Sequence, residues 1–236
     1  MLKSTKTLLA AGIVLGASAF AFAGPALADD EVSLSANVAL TTDYRFRGVS
    51  LSNEDPAIQG GIDVGYQGFY IGTWSSSIEQ FNGSEQEVDL YGGWGMDLTD
   101  GLAIDAGFLY YVYPGGVGTD YYELHATVSG SVQMIDWSLG INYNPSQSNL
   151  GDEDDTYIHG DLSYTIPDSP VYVGAALGYE DGALSFGGNK WDWTLKLGVT
   201  YEQWDLSVAY IDTNKGTADG CGTCGATGVV TLGASF

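Results

Sequence analysis

The segment Val32–Gly48 alternates apolar and polar residues with a period of two. Even positions from Val32 to Phe46 are mostly apolar, while odd positions carry serine, asparagine, aspartate and arginine. Successive side chains of a strand point to opposite faces, so this pattern predicts one apolar and one polar face. The segment exceeds the about 5–6 residues common in soluble sheets and suits a tilted strand of about 9–11 residues that crosses a bilayer. We therefore predict that it forms the first strand of a transmembrane barrel, with its apolar face outward.

The same alternation recurs along the chain and predicts twelve strands. The facing of Phe69–Ser77 stays open, because both of its registers carry an aromatic residue. Short links such as Gln67-Gly68 and Glu202-Gln203 alternate with longer ones such as Ile78–Gln86 and Asp212–Thr227. Short periplasmic turns and longer outer loops are typical of outer-membrane barrels. A soluble β-sandwich also has one apolar face and remains the alternative fold.

The N-terminal segment has the features of a secretory signal peptide. Lys3 and Lys6 precede an apolar run, and Ala26-Leu27-Ala28 forms a small-residue cleavage site. We predict cleavage after Ala28, which assigns residues 1–28 to the signal peptide and 29–236 to one barrel domain. Two of the seven basic residues and none of the 30 acidic ones lie in residues 1–28, so the mature formal charge is −25.

The mature chain is strongly acidic and has no apolar run long enough for a transmembrane helix. Its charge argues against nucleic acid as a partner, because phosphates would be repelled. A membrane-spanning chain without apolar helices must close its sheet, since lipid cannot satisfy backbone groups. The sequence thus predicts an all-β protein, a single antiparallel up-and-down barrel in the outer membrane of a Gram-negative bacterium.

Aromatic residues mark the ends of the predicted outward faces. Such rings are favoured at membrane interfaces. The chain also ends on an outward-facing Phe236, as outer-membrane proteins do. The aromatic residues concerned are Tyr66, Tyr143, Tyr179, Trp191, Tyr201, Trp204 and Tyr210.

Three stretches carry a family resemblance. The run DYRFRGVSLSNEDPAIQGGIDVGYQGFYIGTWSSSI begins at Asp43, YYVYPGG begins at Tyr110, and DYYEL begins at Asp120. Together they resemble the TorF family of porins. The resemblance implies an outer-membrane β-barrel with a pore role, and it brings no substrate and no catalytic residues. The loop Asp212–Thr227 lies outside it.

Charged side chains on the predicted inward face are candidate pore residues. Rings of carboxylates attract cations, so we expect passive diffusion of small hydrophilic solutes with a cation preference. Arg45 and Arg47, opposite carboxylates, are the expected constriction. The alternative is that ion pairs fill a barrel of modest bore. The candidate lumen residues are Arg45, Arg47, Asp43, Asp63, Glu87, Asp89, Asp105, Glu123, Asp136, Asp161, Asp192 and Lys196.

Two alternative functions stay open. His125 and His159 are the only histidines, and both are predicted to point into the lumen near the outer ends of their strands. An outer-membrane hydrolase would need one of them beside a nucleophile and an orienting group, but no motif supports catalysis. A plugged barrel with a structural or adhesive role is the second alternative. No cofactor and no metal site is expected.

Two outer loops carry further signals. Cys221 and Cys224 lie in the loop Asp212–Thr227, and exported cysteines usually pair, so we predict a disulfide. The acidic run Asp152–Asp155 is expected to be a solvated loop tip. Its alternative role is to bind lipopolysaccharide phosphates through divalent cations. The expected partners are therefore outer-membrane lipid, lipopolysaccharide and small solutes or ions.

Overall fold

A closed antiparallel barrel of twelve strands forms the protein, as the alternating sequence predicts. The computed structural model describes residues 31–236, so the predicted signal peptide 1–28 and its cleavage site lie outside the described residues. Among the described residues, no helix has the length and apolar character to span a membrane. The barrel strands are β1 (Ser33–Thr41), β4 (Ala57–Tyr66), β5 (Phe69–Phe81), β6 (Ser84–Thr99), β7 (Leu102–Val112), β8 (Tyr121–Val132), β9 (Ile135–Gln147), β10 (Glu153–Thr165), β11 (Val171–Gly182), β12 (Lys190–Tyr201), β13 (Trp204–Thr213) and β14 (Thr227–Ser235). Two short strands between β1 and β4, β2 (Arg45–Phe46) and β3 (Val49–Ser50), form a separate sheet.

The first and last strands close the barrel. β1 pairs with β4 from Ser33 to Thr41, and its other edge pairs with β14 from Asn37 to Thr41. Closure leaves no free edge in the sheet, which is what a strand structure in lipid requires.

The outer surface is apolar along the whole sheet. Exposed leucine, isoleucine and valine side chains recur at alternate positions, as in Leu34, Ile71 and Leu195. β5 settles the facing that the sequence leaves open: Phe69 and Ile71 are exposed, whereas Tyr70 and Trp74 are buried inside the barrel. This apolar face covers the area that lipid would contact.

Several strand boundaries differ from the sequence-based prediction. β1 ends at Thr41 rather than continuing to Phe46, because Asp43 turns the chain inward by accepting hydrogen bonds from Arg45 and Ser50. β5 and β6 extend through most of the predicted link Ile78–Gln86 and meet at Asn82-Gly83. Both turn residues have positive φ values, 48° and 101°, which is the backbone that Asn-Gly hairpins favour.

An outward charge in the middle of a strand should destabilise the barrel. Leu195, at the centre of β12, is 60% exposed on the lipid-facing side. We expect Leu195→Arg to lower the free energy of unfolding by about 2–4 kcal/mol. Val199→Arg, on the same face but near the periplasmic end, should cost roughly 0–1 kcal/mol. Denaturant titration of protein folded into phospholipid vesicles would measure both, and equal costs would contradict the assigned membrane span.

Candidate functional site: a hairpin inside the barrel

The link between β1 and β4 folds into the barrel instead of standing above it. We call residues 42–56 the lumen hairpin. Two short strands form its core, β2 (Arg45–Phe46) and β3 (Val49–Ser50), which pair in antiparallel register. Arg47 and Gly48 make the turn with φ values of 47° and 83°. A Cβ at Gly48 would overlap the side chain of Thr213, so this position requires glycine for both backbone and space.

Arg47 at the tip of the hairpin binds the opposite wall. Its Nη2 lies 2.5 Å from Glu123 Oε2 on β8, and its Nη1 lies 2.9 Å from Glu180 Oε1 on β11. β8 and β11 are five and four strands away from β1 around the barrel. The hairpin therefore crosses the lumen, and its tip is held by charge-assisted hydrogen bonds.

The surroundings keep the Arg47 guanidinium charged although it is buried. Its centre lies 4.3 Å from the ring centroid of Tyr157 and 4.6 Å from that of Phe46, so aromatic faces cover it. Burial lowers the pKa of Arg47, but the carboxylates of Glu123 and Glu180 raise it by more, so the net pKa lies well above the usual value.

Other acidic and basic side chains extend this contact. Lys190 Nζ forms an ion pair with Glu180 Oε2. Asp155 Oδ2 lies 3.7 Å from Arg47 Nη1. The sequence predicts a solvated loop tip for Asp155 and gives no role to Glu180 or Lys190, yet the structure continues β10, β11 and β12 to include all three. Their two-residue spacing from the inward residues Tyr157, Gly178 and Asp192 is the signal that could have identified them.

Arg45 ties the hairpin to the last outer loop rather than to the barrel wall. Its Nε lies 2.5 Å from Asp43 Oδ2, and its Nη1 donates to the carbonyl oxygens of Gly48, Thr223 and Gly225. Thr223 lies between Cys221 and Cys224, which form a disulfide.

The disulfide loop closes the outer end over the hairpin. Both cysteine side chains are buried against Val49, with Phe186 packed beside them. The amide of Ser50 donates to the Thr223 carbonyl at 3.1 Å. Arg45 is thus a structural anchor between two segments, in contrast to Arg47, which spans the lumen.

Aromatic side chains fill the space behind the hairpin. The ring of Tyr44 packs edge-on against Trp74 at 5.4 Å, and Tyr111 stacks on Tyr121 at 4.4 Å. The Tyr44 hydroxyl donates to Glu87 at 2.6 Å. The outer half of the lumen is consequently packed like a protein core.

The half of the lumen near the chain termini is lined by aspartates that accept hydrogen bonds from hydroxyl groups. Tyr91 donates to Asp63 at 2.5 Å. Asp136 accepts from Ser131 at 2.5 Å in an exposed contact. Lys196 lies on the inward face of β12 and is partly exposed.

The two histidines occupy separate sites. His125 Nε2 lies 2.8 Å from Asp105 Oδ1, and His159 Nδ1 lies 3.0 Å from Asp161 Oδ2. His125 sits in the middle of β8 rather than near its outer end. Ser138 donates to Asp161 at 2.9 Å, so in this group the serine contacts the aspartate and not the imidazole. A nucleophile activated by a base needs the opposite order, with the histidine between the other two.

Comparison with known proteins gives a family and a fold. Residues 25–236 match the model of a family described as a bacterial protein of unknown function, Gcw_chp. The chain belongs to the Gcw_chp family. A search of curated proteins gives no match.

Two solved structures resemble the barrel. One is the KdgM porin in complex with disordered oligogalacturonate, with 12% identity and a TM-score of 0.59, covering 86% of this chain and 98% of KdgM. Another comes from a study of the in-meso crystallisation of membrane proteins, with 9% identity and a TM-score of 0.55, covering 86% of this chain and 83% of the other. At these identities the likeness is one of fold, and it places the Gcw_chp chain among porin-like barrels.

Removing the Arg47 side chain should release the lumen hairpin. Arg47→Ala leaves Glu123 and Glu180 without their partner, and breaking a buried ion pair costs about 3–5 kcal/mol when the charge stays buried. Because the hairpin can leave and let water reach the carboxylates, we expect local opening rather than global unfolding. Hydrogen–deuterium exchange should show faster exchange in residues 44–52, with unchanged protection in β11–β13.

Arg47→Lys is the matched control for this prediction. Lysine keeps the positive charge but lacks the guanidinium that reaches two carboxylates at once. Exchange in residues 44–52 should therefore be faster than in the wild type and slower than in Arg47→Ala. Exchange in Arg47→Ala that equals the wild type would show that Arg47 does not hold the hairpin.

Proposed function

We propose that this Gcw_chp protein is an outer-membrane channel that passes small hydrophilic solutes, prefers cations and performs no chemical step. The proposal includes export by a signal peptide cleaved after Ala28 and the porin role that the TorF resemblance implies. The observation that carries it is the lumen hairpin, which crosses a closed porin-like barrel and sets its bore. A hairpin that only filled a core would not need a charged tip that crosses the lumen to strands four and five positions away around the barrel.

The charge of the lumen supports the cation preference. Among the described residues, the buried basic side chains are Arg45, Arg47 and Lys190, whereas eight carboxylates are buried. Both arginines are paired with carboxylates, so neither offers an anion a free partner. Carboxylates in excess attract cations and repel anions. The oligogalacturonate of KdgM is an anionic sugar, so this chain does not share that solute class in our proposal. The buried carboxylates are Asp43, Glu87, Asp89, Glu123, Asp155, Asp161, Glu180 and Asp192.

A second candidate function is a closed structural barrel. The packing of the outer half favours it, because Arg45, Tyr44 and Asp89 have no exposed surface. In that case the hairpin would be a permanent plug, and the exposed outer loops would be the functional surface. The two functions differ in whether ions cross the folded protein.

Single-channel recording in a planar bilayer tests the channel. The full chain should give small discrete currents whose reversal potential under a salt gradient shows cation preference. Replacing residues 44–52 by a short glycine–serine linker should raise the conductance severalfold, because the crossing segment is gone. Leu51→Ala, within the hairpin but not at its tip, is the control and should retain the wild-type conductance.

The outcomes separate the two candidates. Silence of both the full chain and the linker variant would favour the structural barrel. Anion-selective steps would contradict the proposed role of the carboxylates.

A hydrolase that uses the histidines is the remaining alternative, and the separate pairing of His125 and His159 argues against it. We expect the double variant His125→Ala and His159→Ala to conduct like the wild type, because neither side chain touches the hairpin. A loss of ester or phospholipid hydrolysis in this variant, measured against the wild type, would support the enzyme instead.

A further inference from the structure

One fully buried carboxylate of the lumen has no hydrogen-bond partner among residues 31–236. Asp89 on β6 is fully buried, and neither of its oxygens has a hydrogen bond to the described residues. Its neighbours across the sheet are Trp74 on β5 and Tyr111 on β7. An ionised carboxylate taken out of water without a partner is costly. No basic side chain of the described residues pairs with Asp89, so either a proton or a bound cation must neutralise its charge.

The acidic side chains around Asp89 are already engaged. Glu87, two residues away on the same face, accepts from Tyr44 at 2.6 Å and from Tyr113 at 2.7 Å. Glu123 binds Arg47 and also accepts from Asn142 at 2.7 Å. These contacts orient both carboxylates but leave a surplus of negative charge beside Asp89. Arg47 is committed to Glu123 and Glu180 and does not compensate it.

The walls of the site indicate which kind of cation it would take. Between residues 31 and 236, no three histidine, cysteine or acidic side chains converge in a way that could hold a metal ion, so a cation at Asp89 would have a single carboxylate ligand and not the several oxygen ligands that divalent ions take. The register partners of Asp89, Trp74 and Tyr111, are buried aromatic residues that belong to one cluster with Tyr44. Aromatic faces attract monovalent cations that give up water easily.

We propose that Asp89 is the anchoring ligand of a binding site for a compact monovalent cation, an alkali or ammonium ion, behind the lumen hairpin. The inference rests on the proposed channel function, in which this cation is a permeating ion held midway. Asp89 supplies the charge, and the aromatic rings supply faces that replace part of the hydration shell.

Thermal unfolding tests the site without relying on conduction. The full chain, folded in detergent micelles, is heated in KCl, NaCl, NH₄Cl or N-methylglucamine chloride at equal ionic strength, so that general screening is constant. A ligand that binds only the folded state raises the melting temperature as it saturates. We expect a saturable rise with K⁺ or NH₄⁺ relative to the bulky N-methylglucamine ion.

Asp89→Asn should abolish this response. It should also make the protein more stable than the wild type in N-methylglucamine chloride, because an uncompensated buried charge is gone. The apparent Kd for K⁺ should rise about tenfold or more, which corresponds to at least about 1.4 kcal/mol. Asp97→Asn is the matched control, since Asp97 lies on the same face of β6 but is exposed at its periplasmic end; it should keep the wild-type response.

The outcomes distinguish this site from the channel itself. An equal melting temperature in all four salts, or an Asp89→Asn variant that keeps the cation response, would overturn the site even if the protein conducts. A cation response that Asp89→Asn removes would support the site even if bilayer recordings are silent, and the channel proposal alone would then fail. In a conducting protein, Asp89→Asn should also reduce the preference for K⁺ over N-methylglucamine.

Discussion

Hydrogen bonding between β1 and β14 closes the sheet, and the rest of the structure depends on that closure. In lipid no water satisfies exposed backbone groups, so an open sheet edge would be prohibitive. Closure then sorts the side chains: one face of every strand meets the surroundings and the other meets the lumen. The apolar residues Leu34, Ile71 and Leu195 occupy the first face, and the charged groups are confined to the second. The lumen of a barrel with twelve strands is narrow enough for one hairpin to cross it.

Because charged side chains are confined to the lumen face, the interior of the barrel is rich in ion pairs and hydrogen bonds. Most buried carboxylates are paired with a cation or accept hydrogen bonds from hydroxyl or amide groups, as general energetics requires. Arg47 provides such pairing across the lumen, because its guanidinium binds Glu123 and Glu180 on two different strands. Arg45 does the same for the outer loops by binding carbonyl groups beside the disulfide. Asp89 departs from the rule, and it does so next to aromatic rings that suit a bound cation.

The period of two predicts the fold and the facing of side chains correctly within the strands, and it fails where the chain leaves a strand. Alternation predicted the barrel, its strand number and the inward facing of Glu123 and His125. It extended β1 to Phe46, because the parity of Arg45 and Arg47 continues that of the strand even though Asp43 turns the chain inward. It also assigned Ile78–Gln86 to a loop, although the Asn82-Gly83 pair marks a tight hairpin. Glu180 and Lys190 were missed because strands that project beyond the membrane lose their apolar face, and with it the clearest part of the pattern.

The sequence by itself determined the class of fold, since only a closed barrel lets long alternating strands bury their backbone in lipid. It also determined that the lumen is acidic, because parity places each charge on a face. Only the tertiary structure decided which charges meet. The contact of Arg47 with Glu123 and Glu180 joins residues 76 and 133 positions apart, and it depends on the fold of a non-repeating hairpin whose turn requires Gly48. Such contacts follow from the packing of the hairpin against the far wall, and no local sequence pattern indicates which distant residues will meet.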